Sequence, residues 1–345
     1  MRRGIPRPWG SGARAPLPSL CAVLFAIALV PMGASAAEPY PSLNAKVVPL
    51  AENIGVGDTI GKIRFLGMLE IPTLTVDGMR LSQLSDLAWD DSAQVLYALS
   101  DKGFLVSFHP VFHEGALVDL KLARVVPLRE LKTNQPLQRR RADAEGMDIR
   151  RNGQTQEMEL IISFERFPRI VRYRTDGYAI EEYKLPPPLN DAKNYRDGNK
   201  MLEGMCFDAR YGVLAMPEAP LPDEDSGYNR LFSLTGRSWR YPTENENRVV
   251  GLACLGNGEV LVLERDFGRL FWRSAVAIKR VRLSNAPADT TLAVETLVSL
   301  DTGKGFQIDN FEGIAHHQGK RFFLISDNND FFLQRTLLLY FELLE

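Results

Sequence analysis

The amino-acid sequence predicts an all-β fold, a β-propeller of six blades, with five or seven blades as open alternatives. One short pattern recurs five times, and in four of the copies an acidic residue stands second or third in it. Successive copies are separated by about 47 to 62 residues, an interval typical of propeller blades that hold several strands each. Each copy is followed by a turn and a second apolar run. The five copies open at Leu84, Ala144, Leu202, Val249 and Phe311.

Each copy is predicted to form a β-hairpin, because turn-forming residues such as Asn152-Gly153 and Gly256-Asn257-Gly258 join its two apolar runs. The runs hold about four to six residues, which is too few for a helix, and they show no helical periodicity. Further strand-like segments lie between the hairpins and are expected to form the outer strands. These segments cover residues 169–174, 231–234, 279–283, 295–300 and 336–343.

The N-terminal segment Lys62–Ile71 is also strand-like, but it has no hairpin partner nearby. We expect this segment to pair with the last blade and close the ring. Counting it together with the five repeats leads to the prediction of six blades. A flat β-sandwich is the structural alternative, although the strands of a sandwich need not repeat at this interval.

Residues 1–36 are predicted to be a secretory signal peptide. They combine four arginines, an apolar stretch from Leu20 to Val30 and the small-residue motif Ala34-Ser35-Ala36. The apolar stretch is too short to span a bilayer, so we expect no stable membrane insertion after cleavage; an uncleaved anchor is the alternative. The predicted organisation is a signal peptide at 1–36, an N-terminal extension at 37–59 and a propeller domain at 60–345, in a periplasmic or secreted protein.

Charge and cysteine content narrow the function classes. The formal net charge is −2; without the four leader arginines, 37 basic residues face 43 acidic ones, which makes −6. A mildly acidic protein has no long-range attraction for nucleic acid, so no nucleic-acid partner is expected.

Only Cys206 and Cys254 remain after cleavage. Export permits a disulfide, but both cysteines lie in apolar runs, so buried free thiols are expected and pairing stays open.

Carboxylates open and close most of the repeats. A hairpin returns the chain to the end where it began, so both acids of a repeat are expected at one end of their blade, converging around the channel. Carboxylates at this density repel one another and need protons, basic partners or a hard cation such as Ca²⁺, which prefers oxygen ligands. The alternative is that the acids cap turns and serve folding alone. The predicted metal ligands are Asp86, Asp101, Glu145, Glu165, Glu203, Glu218, Glu264, Glu312 and Asp327.

Basic residues lie among these acids. Arg166, Arg169, Arg265 and Lys102 are candidates for binding a small anionic ester, since cationic side chains pair with carboxylate and phosphate oxygens. They are equally consistent with counter-ions for the acids. His316 and His317 follow the last Glu-Gly motif, and one of them is a candidate general base; the alternative is that both are surface residues near a turn. The chain has no G-x-S-x-G motif, no phosphate-binding glycine loop and no zinc-protease motif.

Several segments together resemble the phytase-like family of exported bacterial proteins, also described as esterase-like activity of phytase. The resemblance covers roughly residues 60 to 343. It implies a β-propeller that hydrolyses phosphate or other esters, with calcium-dependent β-propeller phytases as analogues. The segments that carry it are Asp143–Met147, Ser163–Ile170, Val262–Phe267, Asn310–Ile314 and Leu324–Asn329.

Three functions are compatible with these observations. In the first, Glu145, Glu203 and Glu312 hold Ca²⁺ and act as catalytic residues, with His316 as a further catalytic candidate, while the arginines hold the substrate anion. In the second, the propeller is not catalytic and binds a ligand or a protein, and the acids form a structural metal site or an ion-pair ring. The third is a lactonase-like enzyme, which is suggested by fold analogy alone.

Overall fold

The computed structural model describes residues 40–198, 200–225, 227–243, 248–267, 274–285, 287 and 289–344. The predicted signal peptide at 1–36 lies outside the described residues. No helix in the described part of the chain is long and apolar enough to cross a membrane. The strands before the first repeat are β1 (Lys46–Val47), β2 (Thr59–Ile60), β3 (Ile63–Ile71), β4 (Thr75–Val76) and β5 (Met79–Arg80).

Each of the first four repeats builds one four-stranded antiparallel sheet from consecutive strands. Blade 1 contains β6 (Leu84–Asp90), β7 (Val95–Ser100), β8 (Phe104–His113) and β9 (Ala116–Pro127). Blade 2 contains β10 (Ala144–Arg151), β11 (Met158–Phe164), β12 (Arg169–Arg174) and β13 (Ala179–Glu182). Blade 3 contains β14 (Leu202–Asp208), β15 (Gly212–Pro217), β16 (Tyr228–Ser233) and β17 (Ser238–Pro242). Blade 4 contains β18 (Arg248–Cys254), β19 (Glu259–Phe267), β20 (Ser274–Arg282) and β21 (Val294–Asp301).

The fifth repeat supplies three strands of its blade and borrows the fourth from the N-terminal part. Its own strands are β22 (Phe311–His316), β23 (Arg321–Ser326) and β24 (Thr336–Leu343). Strand β3 pairs antiparallel with β24, with Ile71 opposite Thr336, and β1 and β2 in turn pair with β3. Short 3₁₀ helices lie outside the sheets, at Arg139–Arg141, Ala192–Asn194 and Thr302–Lys304.

The ring therefore has five blades, and the predicted number of six is wrong. The N-terminal strand pairs with the last blade as expected, but it completes the fifth blade and does not form a sixth. The inner strands β6, β10, β14, β18 and β22 each pack against the next, and β22 packs against β6. This closed ring excludes the β-sandwich alternative.

A β-bulge near the start of each inner strand shapes the channel. In four repeats the bulged residue precedes a glycine. A Cβ atom at Gly146 would lie 2.4 Å from the carbonyl oxygen of Glu203 in the next blade, and one at Gly313 would lie 2.6 Å from the Cα atom of Asp86. The inner strands approach most closely where these side chains are missing. The bulge re-aims the residue beside the glycine toward the channel.

The apolar core lies between neighbouring sheets, where inward-facing side chains interdigitate. Between blades 3 and 4, for example, Trp239 and Tyr241 are fully buried. The described part of the predicted N-terminal extension packs on the same core. Leu43 and Leu50 are buried there, and the backbone N–H of Leu43 donates to the carbonyl oxygen of Leu120 at 2.8 Å.

A disulfide joins Cys206 of β14 to Cys254 of β18, so the expectation of two free thiols is wrong. The two Cα atoms are 5.5 Å apart, although the cysteines are separated by 48 residues of sequence. Their apolar surroundings correctly indicate buried strands. The sequence pattern does not show that these two inner strands are neighbours, and only the closed ring brings the sulfurs together.

Candidate functional site

Two rings of side chains face the channel at the end where the inner strands begin. The first ring consists of the bulged residues. The second ring lies on the second strand of each blade. In that strand one residue pairs with the first residue of the repeat, and the next residue along the chain belongs to the ring. We call these ten residues the acidic mouth. In blade order, the first ring is Ser85, Glu145, Glu203, Val250 and Glu312, and the second ring is Asp101, Glu165, Glu218, Arg265 and Asp327.

A repeated backbone hydrogen bond positions the second ring in four of the blades. The N–H of Glu165 donates to the carbonyl oxygen of Asp143 at 3.0 Å, and the N–H of Glu218 donates to that of Met201 at 2.8 Å. The N–H groups of Asp101 and Asp327 make the equivalent bonds in blades 1 and 5. The acids that follow the second strands therefore return to the channel, as the hairpin argument predicts.

Asp86 was predicted to be a mouth ligand, and the structure places it elsewhere. Ser85 holds the first-ring position of blade 1, and successive strand residues point to opposite sides. The carboxylate of Asp86 is buried in the channel wall and accepts hydrogen bonds from the N–H groups of Leu87, Met147 and Ile314, at 2.8, 2.6 and 3.1 Å. Asp86 thus joins three inner strands and holds the ring together.

Glu264 is the second predicted ligand that lies outside the mouth. Arg265 holds the second-ring position of blade 4, and Glu264 is displaced by one residue to the opposite side of the strand. The carboxylate of Glu264 is buried, 2.9 Å from the Nζ atom of Lys279, and it accepts a hydrogen bond from the hydroxyl of Tyr241 at 2.5 Å. Glu264 therefore belongs to the core between blades 3 and 4.

Two overlapping groups of carboxylates form the densest part of the acidic mouth. Glu165, Glu203 and Glu218 each offer an oxygen, and these oxygens lie within 4.8 Å of one another. Asp143, Glu145 and Glu165 form a second group, whose oxygens also lie within 4.8 Å of one another. Glu218 is 2% exposed, and its Oε2 atom is buried without a hydrogen-bond partner among the described residues. A buried carboxylate oxygen without a partner is costly unless a proton or a cation meets it.

Two arginines offset the negative charge of the carboxylates on one side of the mouth. The guanidinium of Arg265 is buried; it pairs with Glu312, lies 3.4 Å from Oε1 of Glu218 and donates to Oδ1 of Asn310 at 2.6 Å. Arg248 pairs with the same Oε1 atom of Glu218 at 3.2 Å. These contacts of Glu218 all fall on Oε1 and leave Oε2 without a partner among the described residues.

Burial raises the pKa values of several mouth acids, and neighbouring carboxylates raise them further. The pKa of Glu165 is raised to about 8, and that of Asp101 to about 7. Burial also raises the pKa values of Glu145, Glu203 and Asp327 well above the ordinary range. With its pKa at about 8, Glu165 therefore retains a proton near neutral pH, and a cation bound there would relieve the repulsion between the carboxylates.

The other predicted anion-binding residues fall in different places. Arg166 lies at the mouth, where its guanidinium pairs with Asp143 at 2.5 Å. Lys102 is exposed beside Asp101. Arg169 is buried; its guanidinium lies 3.7 Å from the centroid of the Phe164 ring and donates to two backbone carbonyls. Arg169 is thus occupied by the protein, whereas Arg166 is partly exposed beside Asp143 and Lys102 is exposed.

The structure does not bring His316 together with the carboxylates. His316 is the last residue of β22 and Glu312 the second, so about 13 Å of strand separates them. The Nε2 atom of His316 lies 2.9 Å from the carbonyl oxygen of Gly319 at the opposite end of the channel.

Sequence analysis missed three polar residues as partners in this site. They share one position, directly before the first residue of a repeat, and this shared position is the signal that would have found them. The three residues are Asp143, Arg248 and Asn310.

Fold and site together define a five-bladed β-propeller with a carboxylate-rich channel mouth. The chain belongs to the phytase-like family, described as esterase-like activity of phytase, and the family model matches residues 79–330. No curated protein matches the sequence.

Two solved β-propellers are similar to this chain. The β-propeller domain of Myceliophteria thermophila Cps50 (Swd1) is 12% identical with a TM-score of 0.40, and the match covers 88% of this chain and 100% of that one. The Dos1 propeller is 6% identical with a TM-score of 0.32, and the match covers 82% of this chain and 75% of that one. At these values neither likeness bears on the site.

Proposed function

We propose that this protein is an exported hydrolase that cleaves phosphate or other esters at the acidic mouth with the help of a bound hard cation such as Ca²⁺. Membership of the phytase-like family supports this class of reaction. The observation that carries the proposal is the group formed by Glu165, Glu203 and Glu218, in which the buried Oε2 atom of Glu218 has no hydrogen-bond partner among the described residues.

The residues of this group fit a hard cation. Ca²⁺ binds oxygen ligands, mostly carboxylates, backbone carbonyls and water. Glu165, Glu203 and Glu218 supply three carboxylates within 4.8 Å, and Glu145 and Asp143 adjoin them through Glu165. A cation held there supplies Lewis-acid chemistry, because it polarises an ester oxygen and activates water.

Side chains of the protein itself bind the substrate, stabilise developing charge and supply a proton. The side chain of Arg166 is 37% exposed at the mouth, so it is accessible to a substrate anion beside its partner Asp143. Arg265 is buried in a site of low dielectric, where its charge stabilises negative charge that develops on the reacting group. Burial raises the pKa of Glu145 and so favours its protonated form, which suits this carboxyl to protonate a leaving oxygen.

An apolar rim stands beside the mouth and favours substrates with an apolar part. Phe331, Phe332 and Leu333 are 49%, 86% and 59% exposed in the loop that begins at Asp327. Phe167, in the loop that begins at the mouth acid of blade 2, is 48% exposed. Exposed apolar groups clustered near a site commonly contact a ligand.

The proposal is tested with a panel of phosphate esters, carboxylate esters and a lactone, assayed with Ca²⁺ and with EGTA. We expect turnover of at least one ester, loss of that turnover in EGTA, and a decrease in kcat/KM of about 100-fold or more in Glu203→Gln. Glu182→Gln, an exposed acid on β13, is the matched control and should behave like the wild type. Absence of turnover across the panel, or turnover that survives both changes, would contradict the proposal.

A non-catalytic binding propeller is the second candidate, and the buried ion pairs favour it. Arg265 of blade 4 bridges Glu218 of blade 3 and Glu312 of blade 5, which is an arrangement that can serve stability alone. In that case no ester is turned over, in Ca²⁺ or in EGTA. A lower Tm in EGTA reports a bound cation under either candidate, so the turnover measurement distinguishes them.

A further inference from the structure

The opposite end of the channel holds a separate cavity of about 410 Å³, which we call the distal cavity. Counted from the residue that opens each repeat, the sixth residue of every inner strand lines it. The second residue of each repeat therefore lies at the acidic mouth, and the sixth residue of each repeat lines this cavity. The lining residues from the five strands are Trp89, Ile149, Phe207, Cys254 and His316.

The wall of the distal cavity is held in place before any ligand arrives. The Cys206–Cys254 disulfide joins blades 3 and 4 at its edge. The carboxylate of Asp148 accepts hydrogen bonds from the N–H groups of Ile149 and Phe207, at 2.7 Å each, and so joins blades 2 and 3. A preformed wall lowers the entropy lost on binding, and cavities of this size suit small organic ligands.

A cation in the lining has no carboxylate partner. The guanidinium of Arg151 is exposed and donates to the carbonyl oxygen of Gln156 at 2.9 Å, and no acid in the described part of the chain pairs with it. The carboxylate of Asp91 also lines the cavity, but it already accepts hydrogen bonds from the side-chain amides of Gln94 and Gln318. The guanidinium of Arg151 is therefore available to an anion.

The ring of His317 adds a neutral hydrogen-bond donor. Its Nδ1 atom lies 2.7 Å from the hydroxyl of Tyr340, and that oxygen also faces the guanidinium of Arg321. The phenol oxygen can accept from Arg321 and donate its own proton to Nδ1 of His317, and in that tautomer the histidine proton lies on Nε2. Burial lowers the pKa of His317 to about 4, so the ring stays neutral and keeps this N–H.

Aromatic side chains complete the lining. Trp89 and Phe207 come from blades 1 and 3 and supply flat apolar surface to the cavity. His317 packs edge-on against Trp89, with ring centroids 4.4 Å apart, so the donor lies beside the indole. One guanidinium, one imidazole N–H and two aromatic surfaces thus line one small space.

We propose that the distal cavity binds a small organic anion with a flat apolar body, of the aromatic carboxylate class. The carboxylate of the ligand pairs with Arg151 and accepts a hydrogen bond from the Nε2–H of His317. The ring of the ligand packs against Trp89 and Phe207. This site is independent of the hydrolysis proposed at the acidic mouth.

The test uses 4-(trifluoromethyl)benzoate as the probe and follows its binding to the purified protein by ¹⁹F NMR titration. We expect saturable binding, weakened about tenfold or more by Arg151→Gln. The neutral amide of the same ring should bind more weakly than the carboxylate. Arg174→Gln, which removes an exposed arginine that pairs with Asp176 in blade 2, is the matched control and should bind like the wild type.

Two further binding measurements distinguish this site from the acidic mouth. Binding should be unchanged in Glu203→Gln and in EGTA, whatever those changes do to ester turnover. The proposal is overturned if the wild type shows no saturable binding at millimolar probe, if Arg151→Gln binds as tightly as the wild type, or if Glu203→Gln removes the binding.

Discussion

Replacing Glu165 by glutamine should stabilise the metal-free protein at neutral pH and remove much of its response to a cation. Glu165 is 5% exposed, and burial together with Asp143 raises its pKa from the ordinary 4.5 to about 8. Between these two values the folded protein retains a proton that the unfolded chain has released. Stability therefore falls as the pH rises from about 4.5 to about 8. Glutamine does not ionise, so the variant lacks this part of the pH dependence.

The expected gain follows from the position of the pH between the two pKa values. One pKa unit corresponds to about 1.36 kcal/mol, and pH 7 lies about 2.5 units above the value in the unfolded chain. Glu165→Gln should therefore raise the free energy of unfolding by about 3 kcal/mol at pH 7. At pH 5 the same calculation leaves less than about 1 kcal/mol.

The assay is urea denaturation in EGTA at pH 5 and pH 7, with Glu182→Gln as a control that should match the wild type. A parallel series in Ca²⁺ should stabilise the wild type and leave Glu165→Gln nearly unchanged, because one carboxylate of the group is gone. A gain that is equal at both pH values, or a loss of stability at pH 7, would refute the argument from the raised pKa.

Three other perturbations test the fold and the rim. Replacing both Cys206 and Cys254 by alanine should lower the free energy of unfolding by about 4 kcal/mol, since the disulfide closes a long loop; an unchanged urea midpoint would contradict this. Gly146→Ala should cost about 3 kcal/mol because its Cβ meets neighbouring backbone at 2.4 Å, whereas Gly153→Ala, with open space around it, should cost less than about 1 kcal/mol in the same titration. If the apolar rim binds substrate, Phe332→Ser should raise the KM of an apolar ester about tenfold with little change in kcat, and an equal effect on an ester without an apolar group would count against it.

The repeated pattern was sufficient to predict the all-β class, the hairpins and the end of the channel at which most acids gather. These features depend on local chemistry: turn residues reverse the chain, and a hairpin returns its second acid to the end where the first acid lies. Glu145, Glu165, Glu203, Glu218 and Glu312 could be placed at the mouth on this basis.

The tertiary structure decided the features that depend on which strands are neighbours and on register. Whether the N-terminal strand adds a blade or completes one depends on its pairing with β24, which the local sequence does not encode. Asp86 and Glu264 each lie one residue away from the ring position of their repeat, and the alternation of the strand turns their side chains away from the mouth that they were predicted to join.

Sequence by itself therefore determined what each repeat can form, and the closed ring determined what the repeats form together. A single hairpin specifies the direction of its own side chains through the alternation of the strand. The distances between carboxylates of different blades, the pairing of Cys206 with Cys254 and the separation of His316 from the acids arise only when five sheets close around one axis. The physical reason is that these contacts join residues far apart in the chain, and packing between sheets alone sets their distance.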